Sequence, residues 1–311
     1  MKVLTWSRGA GGAARPGVLQ GDGVVDLGDH WPDVAALIAA GPRAWDVARA
    51  RAASGATVAG LSEVRLHPPW LPAQIRDFLC FEEHLRTSLA RGLRARVPGF
   101  VASALERMGV GTIPPVWYER PLWYKGNRFA VSGYDEEVPW PGDCRWLDYE
   151  LELGAVIGVG GRRIPVERAR DHLFGFVVFN DLTARDWQGR EMGSGFHLGP
   201  SKSKDFDGAN ALGGWITTAD EVPDPYALTM TATVDGARWS SGTSAGMRWR
   251  FEELIHFVSQ DETLHPGELF GSGTVGGGCG WELGRPLQPG SVVELEISGV
   301  GRARTRIGPR G

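Results

Sequence analysis

Glu150 and Glu152 lie two residues apart in Leu147-Asp148-Tyr149-Glu150-Leu151-Glu152-Leu153. On a strand such residues point to one face, while Tyr149, Leu151 and Leu153 take the other. The core-like Ala155-Val156-Ile157 that follows carries the strand inward, where adjacent carboxylates repel unless protons or a cation neutralise them. A divalent metal with oxygen ligands meets that need; an amphipathic strand with its glutamates in water is the plain alternative. The apolar run Phe174-Gly175-Phe176-Val177-Val178-Phe179 ends abruptly in Asn180-Asp181, a position suited to a ligand or a catalytic acid. Asp181 or Thr183 could equally cap a following helix. Gly199-Pro200-Ser201-Lys202-Ser203-Lys204-Asp205-Phe206 sets two lysines among small residues but lacks the glycine before lysine that a phosphate loop needs. Solvated charge is the simple reading there, above all for Lys202. Finally, Asp77-Phe78-Leu79-Cys80-Phe81-Glu82-Glu83-His84 places an acid and a histidine around a helix start. A carboxylate within hydrogen-bond reach would orient that ring for general-base work; a structural histidine is the alternative.

The elements that must position these groups are mostly strands. Strand patterns run Lys2 to Trp6, Gly17 to Gln20, Val24 to Leu27, Leu147 to Gly158, Phe174 to Asp181, Gly214 to Thr218, Leu228 to Val234, Arg238 to Ser240, Leu269 to Gly273, Val292 to Ser298 and Ala303 to Ile307. Helical spacing marks Trp31 to Ala40, Ala44 to Ala53, Glu82 to Leu93, Val97 to Met108, Val166 to His172 and Arg250 to Gln260, with a helical turn at Ala184 to Glu191. Helices do not alternate regularly with strands, so the fold class is α+β, mainly β, and not a doubly wound sheet. The run His67-Pro68-Pro69-Trp70-Leu71-Pro72 is too proline-rich for regular structure. It is read as the boundary between a small N-terminal β/α domain, residues 1–70, and a catalytic domain, residues 71–311.

Composition narrows the classes. The formal charge is −4 with no Lys/Arg block, which leaves out the electrostatic footprint of nucleic-acid binding. No stretch approaches the ~18 apolar residues of a membrane span, and Met1-Lys2-Val3-Leu4-Thr5-Trp6 reads as a strand and not as a signal segment. A cytoplasmic protein is expected. Three scattered cysteines, Cys80, Cys144 and Cys279, suggest neither a disulfide framework nor a thiolate zinc site. With 45 glycines in 311 residues the chain turns often between short strands.

In order and spacing, the four chemical segments resemble the fumarylacetoacetate hydrolase family over about residues 75–300. The resemblance implies a mixed β-sandwich roll and a divalent cation, Mg²⁺ before Mn²⁺ or Ca²⁺, held by Asp77, Glu150, Glu152 and Asp181. By the same resemblance His84 is the water-activating base, Lys204 supports negative charge, and Arg185, Gln188, Tyr124 and Thr274 contact substrate. The carboxylate partner of His84 is then Glu282, after Ser272-Gly273-Thr274, or Glu82 or Glu83 as in smaller relatives. The implied activity is hydrolysis of a carbon–carbon bond in a β-diketo acid or acylpyruvate by a homodimer. Decarboxylation or tautomerisation of a 2-oxo acid on the same metal site is the alternative, and a non-catalytic ligand- or metal-binding protein is a third reading.

Overall fold

Short β-branched and aromatic runs separated by glycine turns assemble into three sheets in the computed structural model, which describes residues 1–9, 11–193 and 199–310. The centre of the largest sheet is the antiparallel pair Leu151–Ile157 and Leu173–Asp181, with Leu151 opposite Asn180 and Gly154 opposite Val177. Beside it, Leu269–Gly271 runs antiparallel to the first strand and parallel to Ile75–Phe78, which pairs in turn with Trp123–Gly126. On the other flank Ile216–Thr218 joins Leu173–Asp181 to the N-terminal strand Lys2–Ser7. A second sheet holds Ala237–Thr243, Thr229–Val234, Val292–Ile297, Gly301–Ile307 and Glu136–Val138.

Both faces of the large sheet are covered. Leu151, Leu153, Ala155, Phe176 and Val178 pack with Met230, Ala232, Leu295 and Ile297 of the second sheet and with Phe251, Leu254 and Ile255 of the helix Phe251–Ser259. Val156, Phe174 and Val177 point the other way, against Leu37, Ile38, Trp45 and Ala48 of the helices Val34–Ala39 and Pro42–Ser54. This is the mixed β-sandwich roll expected, strand-rich with flanking helices. A strand covered on both faces has no wet side, so the glutamates of the central strand are forced indoors. Among the described residues no helix is long and apolar enough to cross a membrane.

The first 70 residues share sheet and core with the rest, because the large sheet continues past the proline-rich run through the pairing of Lys2 with Thr217. The expected single strand from Leu147 to Gly158 is interrupted: Leu147–Asp148 pairs with Thr183–Ala184, and Glu150 makes only an isolated bridge to Cys279. The cause is local, since the Asn180 side chain accepts the Glu150 N–H at 3.1 Å and Gly278 O accepts that of Leu151 at 3.0 Å. The strands Trp123–Gly126, Glu136–Val138 and Asn210–Leu212 had no legible alternation; tertiary pairing makes them strands. All three cysteines are free and buried.

Trp45 ties the N-terminal helices to the central sheet: its ring meets Phe174 edge-on with centroids 5.0 Å apart, and its Nε1–H donates to Leu37 O at 3.1 Å. Trp45→Ala should cost about 3–5 kcal/mol, the usual loss for such a truncation, and leave one calorimetric unfolding transition. Two resolved transitions, only one of them shifted, would show that residues 1–70 unfold on their own.

Candidate active site

Three carboxyl groups meet on the glutamate face of the central strand. Asp77 comes from Ile75–Phe78, Glu152 from Leu151–Ile157 and Asp181 from the end of Leu173–Asp181; one oxygen of each lies within 4.8 Å of the others, and all are buried. Register explains the meeting, because Asp77 is opposite Gly271 on one side and Tyr124 on the other. Only glycine fits at 271, where a Cβ would run into Asp77 Oδ1 and crowd Glu152 Oε2. The Gly273 N–H donates to Glu152 Oε2 at 3.1 Å and Asp77 Oδ1 at 3.3 Å, and the Thr274 hydroxyl donates to Glu152 Oε1 at 3.4 Å. Burial first, then the neighbouring carboxylates, push Glu152 well above the usual carboxylate range. Asp77 and Asp181 are raised chiefly by burial, against the pull of Lys204.

Two buried cations flank the cluster. Lys204, in the turn Lys202–Lys204, donates to Asp181 Oδ2, to Glu150 Oε2 at 2.6 Å and to Thr183 Oγ1 at 2.8 Å. Burial would lower its pKa, but Asp181 and Glu150 overcome that and hold the ammonium above its ordinary value. The Arg185 Nη2–H donates to Glu150 Oε1 at 2.5 Å, its Nε–H to Asp148 Oδ2 at 2.8 Å and its Nη1–H to Gln188 Oε1 at 3.1 Å. Burial would raise Glu150, yet Arg185 and Lys204 hold it below the usual range. The Tyr124 hydroxyl donates to Asp181 Oδ2 at 2.8 Å, and burial with the nearby Asp181 pushes the phenol far up, so it stays a donor.

A histidine–carboxylate pair stands beside this patch. His84, in the first turn of the helix Glu82–Arg94, contacts Glu282 Oε1 through Nδ1 at 2.7 Å. A carboxylate only accepts, so Nδ1 carries the hydrogen in this contact. The Gly277 N–H donates to the other Glu282 oxygen at 3.0 Å. Glu82 pairs instead with Arg86 and Tyr118.

The structure thus gathers Asp77, Glu152, Asp181, Lys204, Tyr124, Thr274, Arg185 and Glu150 into one patch and pairs His84 with Glu282. Glu150 is not among the three acids whose oxygens converge; both of its oxygens are taken by Arg185 and Lys204. Arg185 and Gln188 bind each other, and Lys202 is exposed. Asp148 was missed. It is fully buried and holds Arg185, and its spacing of two from Glu150 was the available signal.

Among the described residues, Arg185 and Lys204 are the buried Lys and Arg side chains paired with Asp148, Glu150 and Asp181 of the five-acid patch. Asp181 Oδ1 is buried without a hydrogen-bond partner among the described residues. An under-neutralised, all-oxygen donor set with an orphaned acceptor fits a hard divalent cation.

A strand-rich roll with a buried carboxylate cluster beside a histidine–glutamate pair has the makeup of an enzyme. The chain belongs to the fumarylacetoacetate (FAA) hydrolase family, whose C-terminal domain matches residues 75–308. A relative from Burkholderia multivorans, named only as a hydrolase, is 31% identical over 304 residues, 97% of this chain and 96% of its own. Oxaloacetate tautomerase YisK of Bacillus subtilis is 30% identical over 256 residues, 82% of this chain and 76% of its own. The crystal structure of maleylpyruvate hydrolase from Sphingobium sp. SYK-6, in complex with manganese(II) and pyruvate, shares the fold at a TM-score of 0.74 and 21% identity, with both chains wholly covered.

A carboxyl group raised by burial holds its proton in the folded chain at pH values where the unfolded chain has released it. Stability therefore falls as pH rises from the ordinary carboxylate range toward the raised value. Glu152→Gln, which mimics the protonated form, should melt about 2–4 °C above wild type in EDTA at pH 8, with the advantage shrinking toward pH 5. A variant less stable than wild type at pH 8 would refute the repulsion.

Proposed function

We propose that the protein is an enzyme that hydrolyses a carbon–carbon bond in an acylpyruvate or related β-diketo acid. The observation that carries this reading is the 2.7 Å contact of His84 with Glu282 beside a buried, under-neutralised carboxylate cluster. Asp77, Glu152 and Asp181 would hold a divalent cation, with Glu150 the fourth carboxylate of the same face. Bound there, the cation would supply Lewis acidity toward the substrate.

The protein's own groups do the rest. His84 Nε2 takes a proton from water as the water oxygen attacks the substrate carbonyl carbon, and Glu282 stabilises the imidazolium that results. Lys204, whose three N–H bonds hold Asp181, Glu150 and Thr183, sets a buried positive charge beside the oxygen on which negative charge develops, where it counts for more than in water. Arg185 and Gln188 fix the substrate carboxylate. As the carbon–carbon bond breaks, the imidazolium returns its proton to the leaving carbon, giving a carboxylic acid and a 2-oxo acid.

The 30% identity with an oxaloacetate tautomerase favours a second reading, in which the same groups move a proton between carbon and oxygen of a 2-oxo diacid and no bond is hydrolysed. Loss of His84 tests the proposed base, and the substrate that wild type turns over separates the two classes of chemistry. His84→Ala should cost about 10²–10⁴-fold in acylpyruvate hydrolysis with Mg²⁺ or Mn²⁺, followed by loss of diketone absorbance. Wild type that turns over oxaloacetate enol but no acylpyruvate would transfer the assignment to the tautomerase.

A further inference from the structure

We propose that Asp148 is the positioning residue that sets the His84–Glu282 pair and the Arg185–Glu150–Lys204 chain of ion pairs as one unit. Asp148 is completely buried. Its Oδ1 accepts the Gly280 N–H at 2.7 Å, and its Oδ2 accepts the Trp281 N–H at 2.8 Å and the Arg185 Nε–H at 2.8 Å. Gly280 and Trp281 open the four-residue helix Gly280–Leu283 that carries Glu282. A Cβ at Gly280 would stand 2.6 Å from Asp148 Oδ1, so the close approach of carboxylate and backbone needs a bare glycine.

From the other oxygen partner the chain of charged hydrogen bonds runs on. Arg185 binds Glu150 at 2.5 Å, Glu150 binds Lys204 at 2.6 Å, and Lys204 reaches Asp181 in the carboxylate cluster. A single carboxylate therefore fixes the backbone under Glu282 and the guanidinium that neutralises Glu150. The bonds of Asp148 go to Gly280, Trp281 and Arg185, so it acts through Glu282 and Arg185. Charge-assisted bonds of this kind are short and directional, and loss of a supporting partner typically costs 10–100-fold in activity.

Asn at 148 presents an amide N–H₂ to at least one of three donors, breaking the arrangement at nearly unchanged volume. The kinetic arm of the test rests on the hydrolase reading above. Asp148→Asn should lower kcat for acylpyruvate about 10–100-fold with KM changed much less. In a His84→Ala background the fall in kcat should be at least about threefold smaller than in wild type, because the base it positions is already gone while the Arg185 side of the unit remains. Equal losses in both backgrounds would overturn the proposal and leave Asp148 a structural residue. A second arm needs no turnover: in wild type the His84 Nδ1 proton, held by Glu282, should give a downfield imidazole resonance, and Asp148→Asn should abolish or shift it. An unchanged resonance in the folded variant would equally overturn the proposal. If wild type shows the resonance and Asp148→Asn loses it, yet no substrate is turned over, the hydrolase reading fails and the positioning role stands. Should Asp148→Asn not fold, Asp148→Ser, smaller and still an acceptor, carries both arms.

Discussion

Three carboxyl groups buried from solvent and brought within reach of one another are the constraint on which the rest of this protein depends. Asp77, Glu152 and Asp181 cannot all ionise in a buried site without a counter-charge, and two of them are raised far above their ordinary range in consequence. Lys204 and Arg185 supply part of that charge and are themselves held by Glu150 and Asp148. The arrangement stores repulsion that a hard divalent cation relieves. A site destabilised in this way is a common trade of stability for function.

Holding like charges together demands a stiff frame. The central pair of strands is packed on both faces, and the three acids arrive on three adjacent or near-adjacent strands of one sheet, so none can swing away into solvent. Glycine at 271 lets Asp77 and Glu152 approach over the intervening strand, and the Gly273 N–H caps both. The histidine lies outside the sheet, on a helix start, and its carboxylate comes from a distant turn. The histidine–glutamate pair and the cluster are thus built on different elements, and Asp148 bonds both to the backbone that carries Glu282 and to Arg185.

Much of this was legible in sequence because period-two spacing in a buried strand is a strong statement about faces. Glu150 and Glu152 on one side, with Tyr149, Leu151 and Leu153 on the other, follow from that spacing alone. The burial of Lys204 was not legible: its loop reads as polar surface, and only the packing of the turn against Asp181 and Glu150 draws the ammonium inside. Nor could spacing choose among Glu82, Glu83 and Glu282 as partner of His84, since the first two lie close in sequence and the third comes from almost two hundred residues away. The break at Glu150 was hidden for a similar reason, because the Asn180 side chain, and not a neighbouring strand, takes its N–H. Short strands such as Asn210–Leu212 carry too few residues to display a period.

The central claim, that the converging carboxylates form a cation site, is tested most directly by calorimetric titration of metal-free protein with Mn²⁺ at pH 8, beside Asp181→Asn. The account predicts one saturable site in wild type and an affinity at least about tenfold weaker in the variant, with its folded circular dichroism unchanged, since one hard ligand has become a neutral amide. No Mn²⁺ binding by wild type, or equal binding by Asp181→Asn, would contradict it.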